Sequence, residues 1–296
     1  MITLDFLINA ISLGSTYALL ALGMVIVYGI LKLVNFAYGE LIMITGYSLF
    51  VLALGPRLPW IIMAVLAVGV AVLTSYLTER VAFRPVRSNS LTAMLITSFA
   101  VSTLLQNAAL LIISPRARGV PLPDVFSESA VIWGQSVPIR SLLAIVTSIL
   151  LLGLLVLLLR KSVLGIALRA ASDNFRMTRM LGVPANLVIS VAFAISGLLA
   201  GVVGLFWVGR TASVTPTIGA APLLVAFVAT VIGGMRSLLG AVVGGYIYGI
   251  LFSFIGILLP QGLLEFREAF MFLIVILILL FRPEGLIRGA NTSRRV

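Results

Sequence analysis

The chain consists of long apolar runs separated by short polar connections. Nine runs approach or exceed the roughly 20 apolar residues that a helix needs to cross a bilayer. They cover residues 4–30, 36–54, 60–82, 91–113, 142–159, 187–208, 220–234, 238–259 and 270–281, the last together with its preceding turn. The seventh is short and contains Pro222, which is typical of a re-entrant or broken helix. This pattern predicts an all-α polytopic transmembrane bundle of about eight or nine spans, in a single domain covering 1–296.

Basic residues are distributed unevenly between the two ends of these segments. If all nine cross, fourteen of the 20 Lys and Arg residues lie on the side that holds 160–179 and six on the other. Because basic residues concentrate on the cytoplasmic side, that region and the C-terminus are predicted to be cytoplasmic. An eight-span arrangement changes the side of the N-terminus but not that of 160–179. The N-terminal run lacks a basic start and is too long for a signal peptide, so it is predicted to be a retained first span.

Two further patterns concern packing and the external side. The longest predicted external connection, 114–141, is rich in proline and contains Trp133. It is either a docking surface for an external partner or a loop anchored by Trp133 in the lipid headgroups. Glycines at close-packing spacing favour tight helix contacts over a role in gating. They are Gly197, Gly201 and Gly204 in the sixth span and Gly240, Gly244 and Gly245 in the eighth.

A polar stretch, about 165–184, separates the fifth and sixth spans. Its charged side chains would together cost roughly 10 to 14 kcal/mol at the centre of a bilayer, so the stretch is predicted to lie outside the hydrocarbon. The four charged residues are Arg169, Asp173, Arg176 and Arg179. Either Ser172 or Asp173 is expected to cap the start of a helix of about nine residues. Gly182 and Pro184 are expected to end it.

Helical spacing gives this predicted helix two faces. One holds Ser172, Arg176 and Arg179, and the other holds Ala171, Phe175, Thr178 and Leu181. One face is therefore expected to rest on the protein or membrane, which leaves the other for a partner. The alternative is a solvated interfacial helix that only holds two spans together.

Composition narrows the possible functions. Hydrophobic residues make up 61% of the chain and charged residues only 10%, which indicates a membrane protein. The net charge of +11 comes from basic residues at segment ends, so it indicates topology signals and contacts with lipid, and no nucleic acid. The chain has no Cys and no His, and we predict no catalytic residue, metal site or cofactor. It also lacks the phosphate-binding pattern G-x-x-x-x-G-K-[ST], so any ATP hydrolysis must come from a partner.

Nearly all the acidic residues lie at the ends of the segments. Glu40 in NFAYGE is either an acid in the first turn at the cytoplasmic end of the second span, which we favour, or part of an unwound break lining a pathway. Polar residues in the fourth span are either solute ligands or, as we favour, interhelical hydrogen-bonding groups. The pathway candidates are Asn35, Tyr38, Glu40, Gln106 and Asn107. Scarce intramembrane carboxylates disfavour an ion-coupled carrier acting alone, and the lack of a carboxylate pair disfavours an intramembrane enzyme.

Several motifs occur in a specific order along nearly the whole chain. They are GSTYAL at 14–19, VYG at 27–29, NFAYGEL at 35–41, RA at 169–170, MLGV at 180–183, GG at 233–234 with Ser237 and GA at 240–241, and RPEGL at 282–286. Together they resemble the branched-chain amino acid ABC transporter permeases. Two positions depart from that family's pattern: Tyr38 stands in place of His and Arg236 in place of Gly. The related urea and short-chain amide permeases share much of the pattern.

The resemblance implies a transport subunit of a bacterial-type inner membrane, with no catalysis of its own. It implies four kinds of partner: a second homologous permease, two ATP-binding subunits, an external solute-binding protein and membrane lipid. It also implies that 165–184 is the coupling segment that contacts an ATP-binding subunit. The residues assigned to that contact are Arg169, Ser172, Asp173, Arg176, Arg179 and Gly182.

Overall fold

A computed structural model describes most of the 296-residue chain. The described residues are 4–55, 58–87, 90–126, 128–132, 135–235, 237–282 and 285–287. Trp133, Arg236 and the pair 283–284 of the RPEGL motif, which carry expectations above, lie outside these ranges. The side chains of Asp173 and Arg176 also lie outside the described part of the structure.

Helices form nearly all of the described regular structure. They are α1 Leu4–Leu31, α2 Glu40–Leu54, α3 Trp60–Leu77, α4 Arg84–Val86, α5 Leu91–Ile112, α6 Ile139–Lys161, α7 Val163–Met180, α8 Ala185–Thr211, α9 Ala220–Gly233, α10 Leu238–Leu258 and α11 Arg267–Phe281. Short 3-10 turns cover Phe36–Tyr38, Asp124–Phe126 and Gln261–Phe266. A π-helical segment, Thr78–Phe83, joins α3 to α4.

Each predicted apolar run is helical over most of its length, which confirms the all-α polytopic class. Seven described helical stretches are long and apolar enough to cross a membrane. They are Phe6–Leu31, Phe36–Leu54, Trp60–Val86, Leu91–Ile112, Ile139–Lys161, Asn186–Thr211 and Leu238–Leu258. The remaining two apolar helices are shorter: α9 has 14 residues and α11 has 15. At about 1.5 Å per residue, α9 is shorter than a hydrocarbon core about 30 Å thick.

Four short strands accompany the helices. Strand β1, Arg118–Gly119, pairs antiparallel with β4, Ser213–Val214. Strands β2, Ser129–Ile132, and β3, Gln135–Pro138, pair antiparallel with each other. Three of the four lie in the predicted external connection, so that connection has regular structure of its own.

By its internal contacts the chain divides into two compact units. One comprises Met1–Val25, Asp124–Gly153 and Leu224–Val296, and the other comprises Ile26–Pro123 and Leu154–Leu223. We call these the first and the second unit.

In the second unit, α8 packs along α3 and α2 through the predicted small residues. A β-carbon added at Gly197 would lie 2.7 Å from the Ser75 β-carbon, and one at Gly204 would lie 2.9 Å from that of Thr45. Contacts below 3.0 Å are sterically forbidden, so both positions require glycine unless the helices move apart. The Ser75 hydroxyl donates to the Phe193 carbonyl at 2.6 Å, which adds a buried polar contact to this packing.

The first unit uses glycine in the same way. A β-carbon at Gly245 would collide with backbone atoms of Ala18 in α1, and one at Gly244 would lie 2.7 Å from the backbone nitrogen of Gly233 in α9. Helix α10 therefore approaches both α1 and α9 at backbone contact distance. These contacts confirm that the glycine spacing in this span serves close packing.

Candidate functional site

The chain between α1 and α2 is not continuous helix. Lys32, just after α1, has a φ of 56°, and the residues up to Asn35 are irregular. The Asn35 side chain caps the 3-10 turn Phe36–Tyr38, because its Oδ1 accepts a hydrogen bond from the backbone nitrogen of Ala37 at 3.1 Å. Asn35 and Tyr38 are both buried. The structure thus gives Asn35 a role in shaping a backbone break.

Glu40 begins α2 directly after this break. Its side chain is almost fully buried, with 1% of the residue exposed. One carboxylate oxygen, Oε1, accepts hydrogen bonds from Ser102 Oγ at 2.9 Å and from Gln106 Nε2 at 2.7 Å. The other oxygen, Oε2, is buried and has no hydrogen-bond partner among the described residues.

These contacts fix the position of Glu40 relative to α5. Ser102 lies eleven residues after Leu91, where α5 begins, and ten before Ile112, where α5 ends. Glu40 therefore lies beside the middle of a long apolar helix, α5. It is also in the first turn of α2, as the favoured interpretation has it. The cytoplasmic position of that turn stays a prediction.

Glu40, Ser102 and Gln106 form a hydrogen-bonded group, which we call the Glu40 cluster. The two pathway candidates in α5 differ in position. Gln106 belongs to the cluster, whereas Asn107 is exposed and its amide donates to the Thr103 carbonyl of its own helix at 2.8 Å. Sequence reasoning missed Ser102, although it lies four residues before Gln106 and so on the same face of α5. The rings of Phe36 and Phe99 stack with centroids 4.0 Å apart and add an apolar contact between the 3-10 turn and α5.

Two glycines bring a second helix start to this break. A β-carbon at Gly39, which precedes α2, would collide with the carbonyl oxygen of Gly219, which precedes α9. The reverse is also true. Glycine at both positions therefore allows the two backbones to touch where two helices begin.

The polar stretch is helical from Val163, earlier than predicted, and a kink at Asn174 divides it into two helical segments. Helix α7 starts at Val163, and Ser162 Oγ accepts from the backbone nitrogen of Gly165 at 2.9 Å. The expected start at Ser172 or Asp173 is wrong, because the helix continues through both residues. A break follows at Asn174, with φ −150° and ψ 92°, and its Oδ1 accepts from the Met177 nitrogen at 3.0 Å. Asn174 thus caps the last turns.

The end of α7 and most of its buried face agree with the sequence analysis. Gly182, just past the helix, has a φ of +85°, as expected of a glycine that ends a helix. Ala171 and Thr178 are buried as predicted, whereas Leu181 is exposed because the helix has already ended.

The predicted partner face is only partly described. Arg169 and Arg179 are exposed. Ser172 is half-buried, and its carbonyl accepts from Lys32 Nζ at 2.9 Å. The break at Asn174 interrupts the helical spacing between Ser172 and Arg179, so the predicted single face does not continue across it.

Comparison with known proteins identifies the family. The model of the family "Branched-chain amino acid transport system / permease component" matches residues 6–281, nearly the entire chain. This chain belongs to that family. It is therefore a transport permease subunit and not an enzyme.

The permease is similar to several relatives over almost their full length. It is 34% identical to the high-affinity branched-chain amino acid transport system permease protein BraD of Pseudomonas aeruginosa, covering 96% of this chain and 95% of that protein. The LivH protein of Escherichia coli has the same identity and coverage. A probable branched-chain amino acid permease of Methanocaldococcus jannaschii is 30% identical, over 94% of this chain and 90% of that protein.

A cavity of about 470 Å³ lies beside α7 of this permease. It is lined by Arg87, Phe175, Arg179, Val183, Pro184 and Asn186. Two arginines therefore face a space next to the end of the polar helix. We call this space the α7 cavity.

Arg87 connects the α7 cavity to a buried carboxylate. Glu79, in the π-helical segment, is fully buried, and its Oε1 lies 3.4 Å from Arg87 Nη1. Its Oε2 accepts from Ser190 Oγ of α8 at 2.7 Å. Arg87 Nη2 also donates to the Asn186 side chain. Burial lowers the pKa of Arg87, and the neighbouring Glu79 carboxylate opposes that shift.

The described residues contain no group of three or more acidic, His or Cys side chains placed to hold a metal ion.

Proposed function

We propose that this chain is the inner-membrane permease subunit of an ATP-driven importer for branched-chain amino acids. The observation that carries the substrate class is the similarity, over almost the full length, to relatives whose names state that cargo. The proposed transport complex contains a second homologous permease, two ATP-binding subunits and an external solute-binding protein. Membrane lipid covers the outer faces of the spans.

The proposed energy source is hydrolysis of ATP by the separate subunits. The sequence has no phosphate-binding loop, so a separate subunit must supply the ATPase activity. Helix α7 is the proposed contact, because Arg169 and Arg179 are exposed on it while Ala171 and Thr178 hold it to the rest of the protein. Ser172, Asp173, Arg176 and Gly182 remain predicted members of this contact.

The proposed orientation places α7 and the C-terminus in the cytoplasm. It is supported by the excess of basic residues on that side, fourteen against six when all nine apolar segments cross. Contact with a cytoplasmic ATP-binding subunit requires this orientation.

A reconstituted complex tests the proposal through Arg179. Complete complexes carrying Arg179→Ala are compared in proteoliposomes with wild type and with Arg140→Ala, which removes an exposed arginine at the start of α6. ATP-dependent leucine uptake is expected to fall about tenfold for Arg179→Ala, the size of a typical coupling energy, and to be unchanged for Arg140→Ala.

Two outcomes would count against the proposal. Normal uptake by the Arg179→Ala complex would remove α7 from the coupling contact. Uptake by the purified single chain under an ion gradient, without ATP or partners, would establish an ion-coupled carrier in place of an ABC importer.

A further inference from the structure

We propose that Glu40 Oε2 binds the ammonium group of the transported amino acid. This inference rests on the proposed function and assigns one recognition contact within it. The observation behind it is a carboxylate in the second unit that is buried to 1% exposure and only half satisfied by its surroundings.

A buried carboxylate normally has hydrogen-bond partners on both oxygens, since an unsatisfied charged group is costly in an apolar interior. At Glu40 both donors, Ser102 and Gln106, bond to Oε1, and both are neutral. Oε2 has no partner, and no described Lys or Arg forms an ion pair with Glu40. In the described structure no cation therefore stands ready to compensate a negative charge on Glu40.

The same unit contains a carboxylate that shows the opposite arrangement. Glu79 is equally buried, yet one oxygen pairs with Arg87 and the other accepts from Ser190. This fold can satisfy both oxygens of a buried acid. Compared with Glu79, the unpaired Oε2 of Glu40 is therefore a specific feature of the Glu40 site.

The chemistry of the open oxygen selects the ligand class. A guanidinium prefers both oxygens of a carboxylate, but Oε1 is already occupied by two donors. A divalent metal ion needs several oxygen ligands. The described residues contain no group of three or more acidic, His or Cys side chains that could hold one. A primary ammonium carries three donors, and one of them can form a short, charge-assisted hydrogen bond to the open oxygen. Leucine, isoleucine and valine each carry such a group at neutral pH.

The neighbourhood suits the rest of an aliphatic amino acid. Phe99 lies three residues before Ser102, on the same face of α5, and stacks on Phe36 next to the break. Because Glu40 is only 1% exposed, a ligand reaches it only when the break or α5 moves, as alternating access around discontinuous helices requires.

A charge-swap experiment separates a binding role from a structural one. Complete complexes in proteoliposomes carry Glu40→Gln, the combination of Glu40→Gln with Gln106→Glu, or the control Thr103→Ala. Thr103 is exposed beside Ser102 and does not contact Glu40. Initial rates of ATP-dependent leucine uptake are measured together with assembly and basal ATPase activity.

Glu40→Gln is expected to reduce leucine uptake about 10- to 100-fold, the range for loss of a hydrogen bond to a charged group, without loss of assembly. The combined variant keeps one carboxylate and one amide in hydrogen-bond contact. On a logarithmic scale, its uptake rate is expected to recover at least a third of the difference between Glu40→Gln and wild type. Thr103→Ala should match wild type.

Uptake by Glu40→Gln within about twofold of wild type would overturn the inference. If Glu40→Gln fails to assemble, the combined variant decides: assembly with leucine uptake supports the role of charge, and assembly without uptake overturns it. A wild-type complex that imports no branched-chain amino acid would instead refute the proposed function, so the two failures are distinguishable.

Discussion

Replacing Glu79 by glutamine removes the negative charge from a side chain that the fold buries completely. It leaves the Arg87 guanidinium facing a neutral amide, whose NH2 group is a donor like the guanidinium itself. Removing one partner of a fully buried ion pair costs about 3 to 5 kcal/mol. The Arg87 side chain is 20% exposed, so water recovers part of this loss, and Ser190 still finds an acceptor in the glutamine oxygen. We expect a loss of about 2 to 3 kcal/mol in the free energy of unfolding.

Denaturant unfolding of the detergent-solubilised chain, followed by circular dichroism, measures this loss. A cycle with Arg87→Gln and the double variant isolates the interaction between the two side chains. The double variant, which removes both charges, should be about 1 to 2 kcal/mol more stable than the sum of the single losses predicts. Additive losses would show that Glu79 and Arg87 act independently, and a loss below about 0.5 kcal/mol for Glu79→Gln would refute the buried-pair reasoning.

Three further changes test the packing and the polar helix. Gly245→Ala puts a methyl group against the backbone of α1 and should cost about 1 to 3 kcal/mol of unfolding free energy. The control Gly69→Ala meets no atom within 4 Å, so it should stabilise the chain by up to about 1 kcal/mol. Asn174→Ala removes the cap inside α7 and should weaken the last turns by about 1 kcal/mol, seen as faster amide hydrogen exchange at Met177; unchanged exchange would contradict the cap. Gly182→Ala forces a side chain into a φ of +85° and should cost about 1 to 2 kcal/mol; a neutral result would show that the turn relaxes.

The helices were predictable because length and apolar character act over whole segments. Each of the nine runs is long enough that no turn or strand pattern competes with a buried helix. The glycine contacts were predictable for a similar reason, since spacing alone brings Gly197 and Gly204 to one side of α8.

The contact of Glu40 with the middle of α5 was not predictable from the same pattern. The residues from Lys32 to Asn35 read as a connection, and the sequence does not say how far an irregular segment travels before α2 begins. Ser102 gave a weak signal because hydroxyl side chains recur along this run, as at Thr97, Ser98 and Thr103. Its spacing from Gln106 shows that both share a face, yet only the fold shows that this face meets Glu40.

The extent of α7 shows a second limit. The polar residues of this stretch predict a helix that starts at Ser172 or Asp173. Ser162 actually caps the helix, because the less polar first turns are helical too. Asn174, placed between Asp173 and Phe175, was passed over as a cap although asparagine is among the best cap residues.

The central claim is that this permease, within a complex, imports branched-chain amino acids at the expense of ATP. The most direct test purifies the complete complex with its binding protein into proteoliposomes and measures uptake of labelled leucine, isoleucine, valine and urea with and without enclosed ATP. We predict uptake of the three amino acids, dependent on both ATP and the binding protein, and none of urea. Uptake of urea in place of the amino acids, or amino acid uptake that persists without ATP, would contradict the account.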